Sequence, residues 1–333
     1  MVLHPKKDGF ILIDRMKKEK RKTNNFMKLI YKSLVVLVVI FTSVTESYGQ
    51  QDPQYTQYMF NTMSVNPGYA GSKEDLSVTA LARTQWVGFP GAPETQTLSI
   101  HSPIGFSGLG IGVNLINDKL GPSQEYYFDT NISYTVKTSD NARLAFGLKL
   151  GVRSLSLDWS KGKYQNPTDV VFNNNINNKI LPTLGAGLYY YTDNWYAGIS
   201  IPNFLRTEHY SDLIESTAVE RLHYFIIAGY VFNLSEEIKF KPAVLSKIVA
   251  GAPLSVDLSA NFLINEKVNL GIAYRWDDSI SSIFGYQVTD KLNIGYAYDL
   301  TTSNYRNYNS GTHEVVLIFD VLKTPKLKSP RFF

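Results

Sequence analysis

Beyond residue 50 the chain carries four histidines, His101, His209, His223 and His313, the side chains best suited to act as a general base near neutral pH. They are scattered singly along the sequence. Triads assemble in space, so a Ser–His lipase remains a distant third reading, although scattered single histidines are ordinarily surface or girdle residues. Gly108-Leu109-Gly110-Ile111-Gly112 has the opening of a dinucleotide-binding fingerprint, but the third glycine would fall on Val113 and no crossover helix follows. The adjacent acids Asp277-Asp278 fall at a predicted outer turn, where such pairs are solvated more often than they hold calcium. The absence of cysteine excludes thiolate zinc, iron–sulfur ligation and disulfides. The expectation is a chain with no catalytic residue, no cofactor, no metal and no small-molecule substrate.

Charge narrows the partners. The net charge of +4 is concentrated at the start, where residues 1–49 hold ten Lys/Arg and four acids. From Gln50 onward 23 basic face 25 acidic residues, a net charge of −2, so nucleic acid is not an expected partner. Within the basic stretch, residues 27–49 read as a secretory signal peptide. Lys28 and Lys32 precede the apolar run 34–41, and Ser47 and Gly49 supply small residues before a cleavage between Gly49 and Gln50. The apolar run is much shorter than the ~20 residues that span a bilayer. Residues 1–26 read as an upstream mis-start or a long charged leader, with Met27 the favoured first residue.

The elements behind these residues are strands. Strict alternation places Val268, Leu270, Ile272, Tyr274 and Trp276 on one side and Asn269, Gly271, Ala273 and Arg275 on the other. The same period runs through 126–137, 254–262 and 292–300. Fourteen strands are expected, at 74–86, 94–102, 108–117, 125–137, 141–155, 182–192, 194–202, 220–232, 237–247, 254–264, 267–277, 279–288, 291–300 and 312–321. A soluble sandwich and a membrane barrel both produce such alternation. The rhythm of the connections decides between them. Every second one is a tight polar turn, as at Ser139-Asp140, Asp193, Ser235-Glu236, Asn265-Glu266 and Thr289-Asp290, and several of the others are long. Bacterial outer-membrane barrels have an even strand number, short periplasmic turns and long outer loops.

Aromatics near strand ends, among them Trp86, Tyr126, Tyr189, Tyr190, Tyr191, Trp195, Tyr196 and Trp276, suit an interfacial girdle. Gly110, Gly112, Gly147 and Gly151 lie opposite the apolar stripe, where a crowded lumen would explain them. The charges Asp129, Lys149, Arg153, Asp257, Arg275 and Asp299 face the same way and read as pairs bracing the interior, or alternatively as a pore lining. The expected organisation is all-β: an outer-membrane antiparallel barrel over 74–321, a short extended arm over 50–73 that is periplasmic or lumenal, and a periplasmic tail over 322–333.

The arm is the most distinctive part. It opens Gln51-Asp52-Pro53-Gln54-Tyr55-Thr56-Gln57-Tyr58-Met59-Phe60-Asn61 and continues with Val65-Asn66-Pro67-Gly68-Tyr69-Ala70-Gly71-Ser72. Next comes Arg83-Thr84-Gln85-Trp86-Val87-Gly88-Phe89-Pro90-Gly91-Ala92-Pro93, and the chain closes on Ser329-Pro330-Arg331-Phe332-Phe333. In this order the series resembles the PorP/SprF family of type IX secretion system membrane proteins over essentially the whole mature chain. Departures are small: Thr62-Met63-Ser64 varies an apolar stretch, and Phe332 stands where Tyr is commoner.

The resemblance implies an outer-membrane component of type IX secretion and, in gliding bacteria, of adhesin display. Its expected partners are outer-membrane lipid, a secreted adhesin-type cargo and periplasmic components of the machinery. It brings no catalytic residues. From the residues themselves, an amide- and aromatic-rich arm either docks a partner through anchors or plugs the lumen. The candidate partner contacts are Tyr55, Tyr58, Phe60, Asn66 and Pro67 in the arm, with Trp86 and Phe89 in the first outer loop, whose Gly and Pro would pre-set it for recognition or make it a rigid lid. A diffusion channel or substrate-specific transporter is the alternative.

Overall fold

The computed structural model describes residues 53–73, 75–105, 108–161, 175–205 and 221–321. The signal segment with Gly49 and Gln50, His209 and the tail 322–333 lie outside the described residues.

Alternation becomes wall. The strands are β1 (Leu76–Thr84), β2 (Glu94–Ile104), β3 (Leu109–Leu120), β4 (Ser123–Lys137), β5 (Arg143–Leu157), β6 (Ile176–Tyr191), β7 (Trp195–Ile201) and β8 (His223–Tyr230). They continue with β9 (Phe232–Asn233), β10 (Ile238–Val249), β11 (Ser255–Ile264), β12 (Val268–Arg275), β13 (Ser279–Gln287), β14 (Leu292–Thr301) and β15 (Thr312–Val321). Each pairs antiparallel with its sequence neighbour, and β15 pairs back onto β1, closing the sheet. β9 is a two-residue continuation of β8: Gly229 faces Ala243 and Phe232 faces Phe240 in the same register on β10. The wall is therefore fourteen-stranded, with no free edge to aggregate.

Expected and observed strands coincide in number and order. The largest difference is the start of β6, at Ile176 rather than 182, because β5 runs on to Leu157 and carries its partner with it.

Side chains sort by the period. On β5, Phe146, Leu148, Leu150 and Val152 are exposed outward, while Ala145, Lys149 and Arg153 are buried inward. The outward belt continues through Leu258, Leu270, Ile272, Phe284 and Leu317, giving a surface that only hydrocarbon solvates well. The aromatic expectation needs a correction. Tyr189, Tyr191 and Tyr196 are not girdle residues but buried lumen residues, since alternation sends every second residue of a strand inside. Trp276 and Trp195 do stay outward.

The arm also differs. Residues 53–73 are wound, not extended, with one helical turn at Thr62–Val65 and a 3-10 turn at Pro67–Tyr69. A closed wall offers no edge for an added strand, so the arm satisfies its backbone groups through local turns, such as Asn66 N–H to the Thr62 carbonyl at 2.9 Å, and through lumen side chains.

Candidate functional site

The arm runs through the lumen from the long-loop end of the wall to the short-turn end. At the top, the Gln54 side-chain amide donates to Asp257 on β11. The backbone N–H groups of Thr56 and Gln57 donate to the Glu314 carboxylate at 2.9 and 2.7 Å, and the Thr56 hydroxyl donates to Asp299 at 2.7 Å. Midway, Asn61 donates to Thr97 at 3.1 Å and accepts from Ser99 at 2.8 Å. Below that, Ser200 donates to the Val65 carbonyl at 2.6 Å, Asn66 donates to the Leu188 carbonyl at 3.0 Å, and Ser133 donates to the Ala70 carbonyl at 2.6 Å. Small hydroxyl and amide residues on the lumen side of the strands are thus the acceptors and donors of a chain segment that cannot pair as a strand.

Lumen glycines make room for it. A Cβ at Gly147 would strike the backbone of Pro67 and Gly68, one at Gly110 the Ala70 carbonyl, one at Gly112 the Met63 sulfur and one at Gly187 the Asn66 side chain. Gly151 serves a different neighbour, the Asp129 carboxylate. The arm also brings apolar side chains. Tyr55, Tyr58, Met63, Val65 and Tyr69 join Tyr189, Tyr196, Ile227 and Leu245 in one buried cluster. Tyr69 sits edge-on to Tyr189 at 5.4 Å between centroids and to His101 at 5.3 Å. This barrel interior is therefore built like a core, with the arm as its central layer.

Ionic pairs brace the wall around it. Lys149 meets Asp129 at 3.2 Å, Arg153 meets Glu125 at 3.6 Å, and Arg275 meets Asp257 at 2.7 Å and Asp278 at 3.1 Å. Arg83 on β1 bridges Asp299 at 2.9 Å and Glu314 at 3.0 Å, and also donates to the Thr56 hydroxyl at 2.8 Å. In a water-poor interior each charge needs such a partner. The six expected lumen charges are all brought into pairs. Sequence reasoning passed over Arg83, Glu314 and the pair Lys73–Asp320, at 3.1 Å, near the opposite rim. A charge in the inward phase of a strand was the signal for Glu314.

The long-loop rim is tied together across the closing strand pair. Trp86 takes a positive φ of 44° and stacks on Tyr305 at 5.5 Å. Val87 and Gly311 share a backbone hydrogen bond of 2.8 Å, as do Ser310 and Val87, and Gly121 donates to the Gly91 carbonyl at 2.9 Å. Loop 85–93 is pinned to loop 302–311 on one side and to the β3–β4 turn on the other. Phe89 of the first loop and Tyr305 and Tyr308 of the second are exposed at this rim.

The candidate contacts therefore divide. Tyr55, Tyr58, Phe60, Asn66 and Pro67 are buried against the lumen wall, so in this conformation their surfaces are not available to another chain. Trp86 is half-buried and Phe89 exposed at the rim. The histidines do not converge. His101 accepts from the Gly71 N–H at 3.3 Å, His223 is buried beside Phe225, and His313 meets the Tyr296 hydroxyl at 2.7 Å on the outer side. His101 and His223 are thus interior residues, contrary to the surface or girdle placement expected of scattered histidines. Of the adjacent acids, Asp278 is engaged by Arg275. Among the described residues no group of three or more metal-ligating side chains occurs.

Solved structures that the chain resembles share little of its sequence. The outer membrane protein Omp33 of Acinetobacter baumannii is 7% identical, covering 75% of this chain and 100% of its own, at a TM-score of 0.46. A FadL homologue of Pseudomonas aeruginosa is 11% identical, covering 82% and 95%, at 0.42. The toluene transporter TodX of P. putida is 10% identical, covering 84% and 97%, at 0.44. No curated protein matches the chain. A family model described as type IX secretion system membrane protein PorP/SprF matches residues 47–319, which takes in the arm, its lumen seats and the wall up to the last two residues of β15. With the arm and its barrel matched as one unit, the chain belongs to the PorP/SprF family of type IX secretion system membrane proteins.

Proposed function

We propose that this outer-membrane component of type IX secretion acts by docking other proteins and not by passing solutes, and that its cargo is a secreted adhesin-type protein met at the long-loop rim. The observation that carries the reading is the filled lumen. The arm from Pro53 to Lys73 is hydrogen-bonded to the wall from Gln54 down to Lys73 and packed into its apolar core. A diffusion channel needs the space the arm occupies. What remains for function is the two rims.

At the long-loop rim, Trp86 and Phe89 sit in a loop whose backbone is held from both sides, and rigid aromatic anchors bind at low entropic cost. The tight turns at the other end are the face for periplasmic components of the machinery. Export through a signal cleaved between Gly49 and Gln50 belongs to the same reading, as does a role in gliding where the organism glides.

The test is an affinity pull-down of the tagged protein from detergent-solubilised outer membranes, read by mass spectrometry, with planar-bilayer conductance of the same preparation. Recovery of a large secreted surface protein together with type IX components, from a preparation that conducts poorly, supports docking. A steady open-pore conductance with no co-purifying protein would replace it with the channel.

A further inference from the structure

The arm crosses the lumen against the direction in which β1 begins. β1 starts at the short-turn end, where Lys73 pairs with Asp320 at the end of β15. From there the chain, followed backwards, climbs. Ala70 and Gly71 contact Ser133 and His101 in the lower wall, Asn61 contacts Thr97 and Ser99 higher up, and Thr56 and Gln57 contact Glu314 in the first residues of β15. Gln54 ends the climb at Ser255 and Asp257, where β11 begins at the long-loop end.

Exposure follows the same path independently. Tyr55 through Met63 are buried without interruption, whereas Pro53 and Gln54 are partly open to solvent.

We infer that the arm enters the lumen from the long-loop rim, with Pro53 and Gln54 on the same membrane face as loops 85–93 and 302–311 and not on the periplasmic face. With long loops turned outward, as in bacterial barrels, Pro53 and Gln54 face the cell exterior. The inference stands on the path of the arm and does not depend on which cargo is bound.

The absence of cysteine makes the test clean. Tyr308→Cys marks the long-loop rim and Asp140→Cys marks a short turn, and a membrane-impermeant maleimide applied to intact cells shows which face is outside. A peptide epitope inserted directly before Pro53 is then probed with antibody on intact and on permeabilised cells, with heat-modifiable gel mobility confirming a folded barrel. Pro53→Cys repeats the measurement in case the insertion blocks assembly. Accessibility that partitions with Tyr308→Cys is the expected result. Accessibility that partitions with Asp140→Cys, or accessibility from neither face in a folded barrel, overturns it.

Discussion

Arg83 on β1 and Glu314 on β15 are register partners in the strand pair that closes the barrel, and their side chains meet inside it at 3.0 Å. The same carboxylate accepts the Thr56 and Gln57 amides of the arm, so a single residue fastens the seam and the plug together. Glu314→Ala leaves Arg83 with Asp299 as its remaining carboxylate partner and strips two buried amides of their acceptor. The expected loss is about 3–5 kcal/mol, the usual consequence of breaking a buried pair. Urea unfolding of the detergent-refolded barrel, followed by heat-modifiable mobility, measures it.

Gly147 is a seat for the arm. Gly147→Val places side-chain atoms where the Pro67–Gly68 backbone lies, and overpacking of this kind costs about 1–3 kcal/mol. The arm is expected to shift before the wall does, because the wall is held by strand pairing on both sides. Faster proteolysis within residues 53–73, with unchanged heat-modifiability, is the outcome to look for. A protease pattern identical to the parent protein would mean the arm is not seated there.

On the outer face, Ile272 lies mid-strand on β12 and is 64% exposed. Ile272→Arg should cost about 2–4 kcal/mol near the bilayer midplane. Tyr308→Arg, in the long loop, should leave stability unchanged. Refolding yields into lipid vesicles compare the two, and equal tolerance would argue that the outward belt does not meet hydrocarbon.

Removing the arm tests what it fills. A chain lacking residues 53–72 loses Tyr58, Met63 and Tyr69 from the lumen cluster and leaves Asp299 and Glu314 facing an emptied interior. Ion conductance in planar bilayers should rise by about an order of magnitude or more over the intact protein, as expected of a fourteen-stranded barrel without its plug. Unchanged conductance would locate the closure elsewhere, in the long loops.

Trp86→Ala removes the stack on Tyr305, worth about 0.5–1.5 kcal/mol. Its effect should be local: earlier cleavage in loop 85–93 under limited proteolysis, and weaker recovery of the cargo in the pull-down, with global stability little changed.

The wall was legible from sequence because its physics is local. Alternation follows from the pleat, so Leu270 and Asn269 declare opposite faces without any knowledge of their neighbours. Tight turns such as Asn265-Glu266, both with positive φ, are likewise written in short-range chemistry. The route of the arm was not legible. Residues 53–73 have no period, and Tyr58 or Asn66 would serve a docking peptide as well as a plug. What decided it is the closed sheet, which left the arm no strand edge and offered instead a lumen of hydroxyls, amides and glycines at matching heights. The pairs Arg83–Glu314 and Lys149–Asp129 depend likewise on the register between strands, which no single strand encodes. They exist only once the barrel has closed.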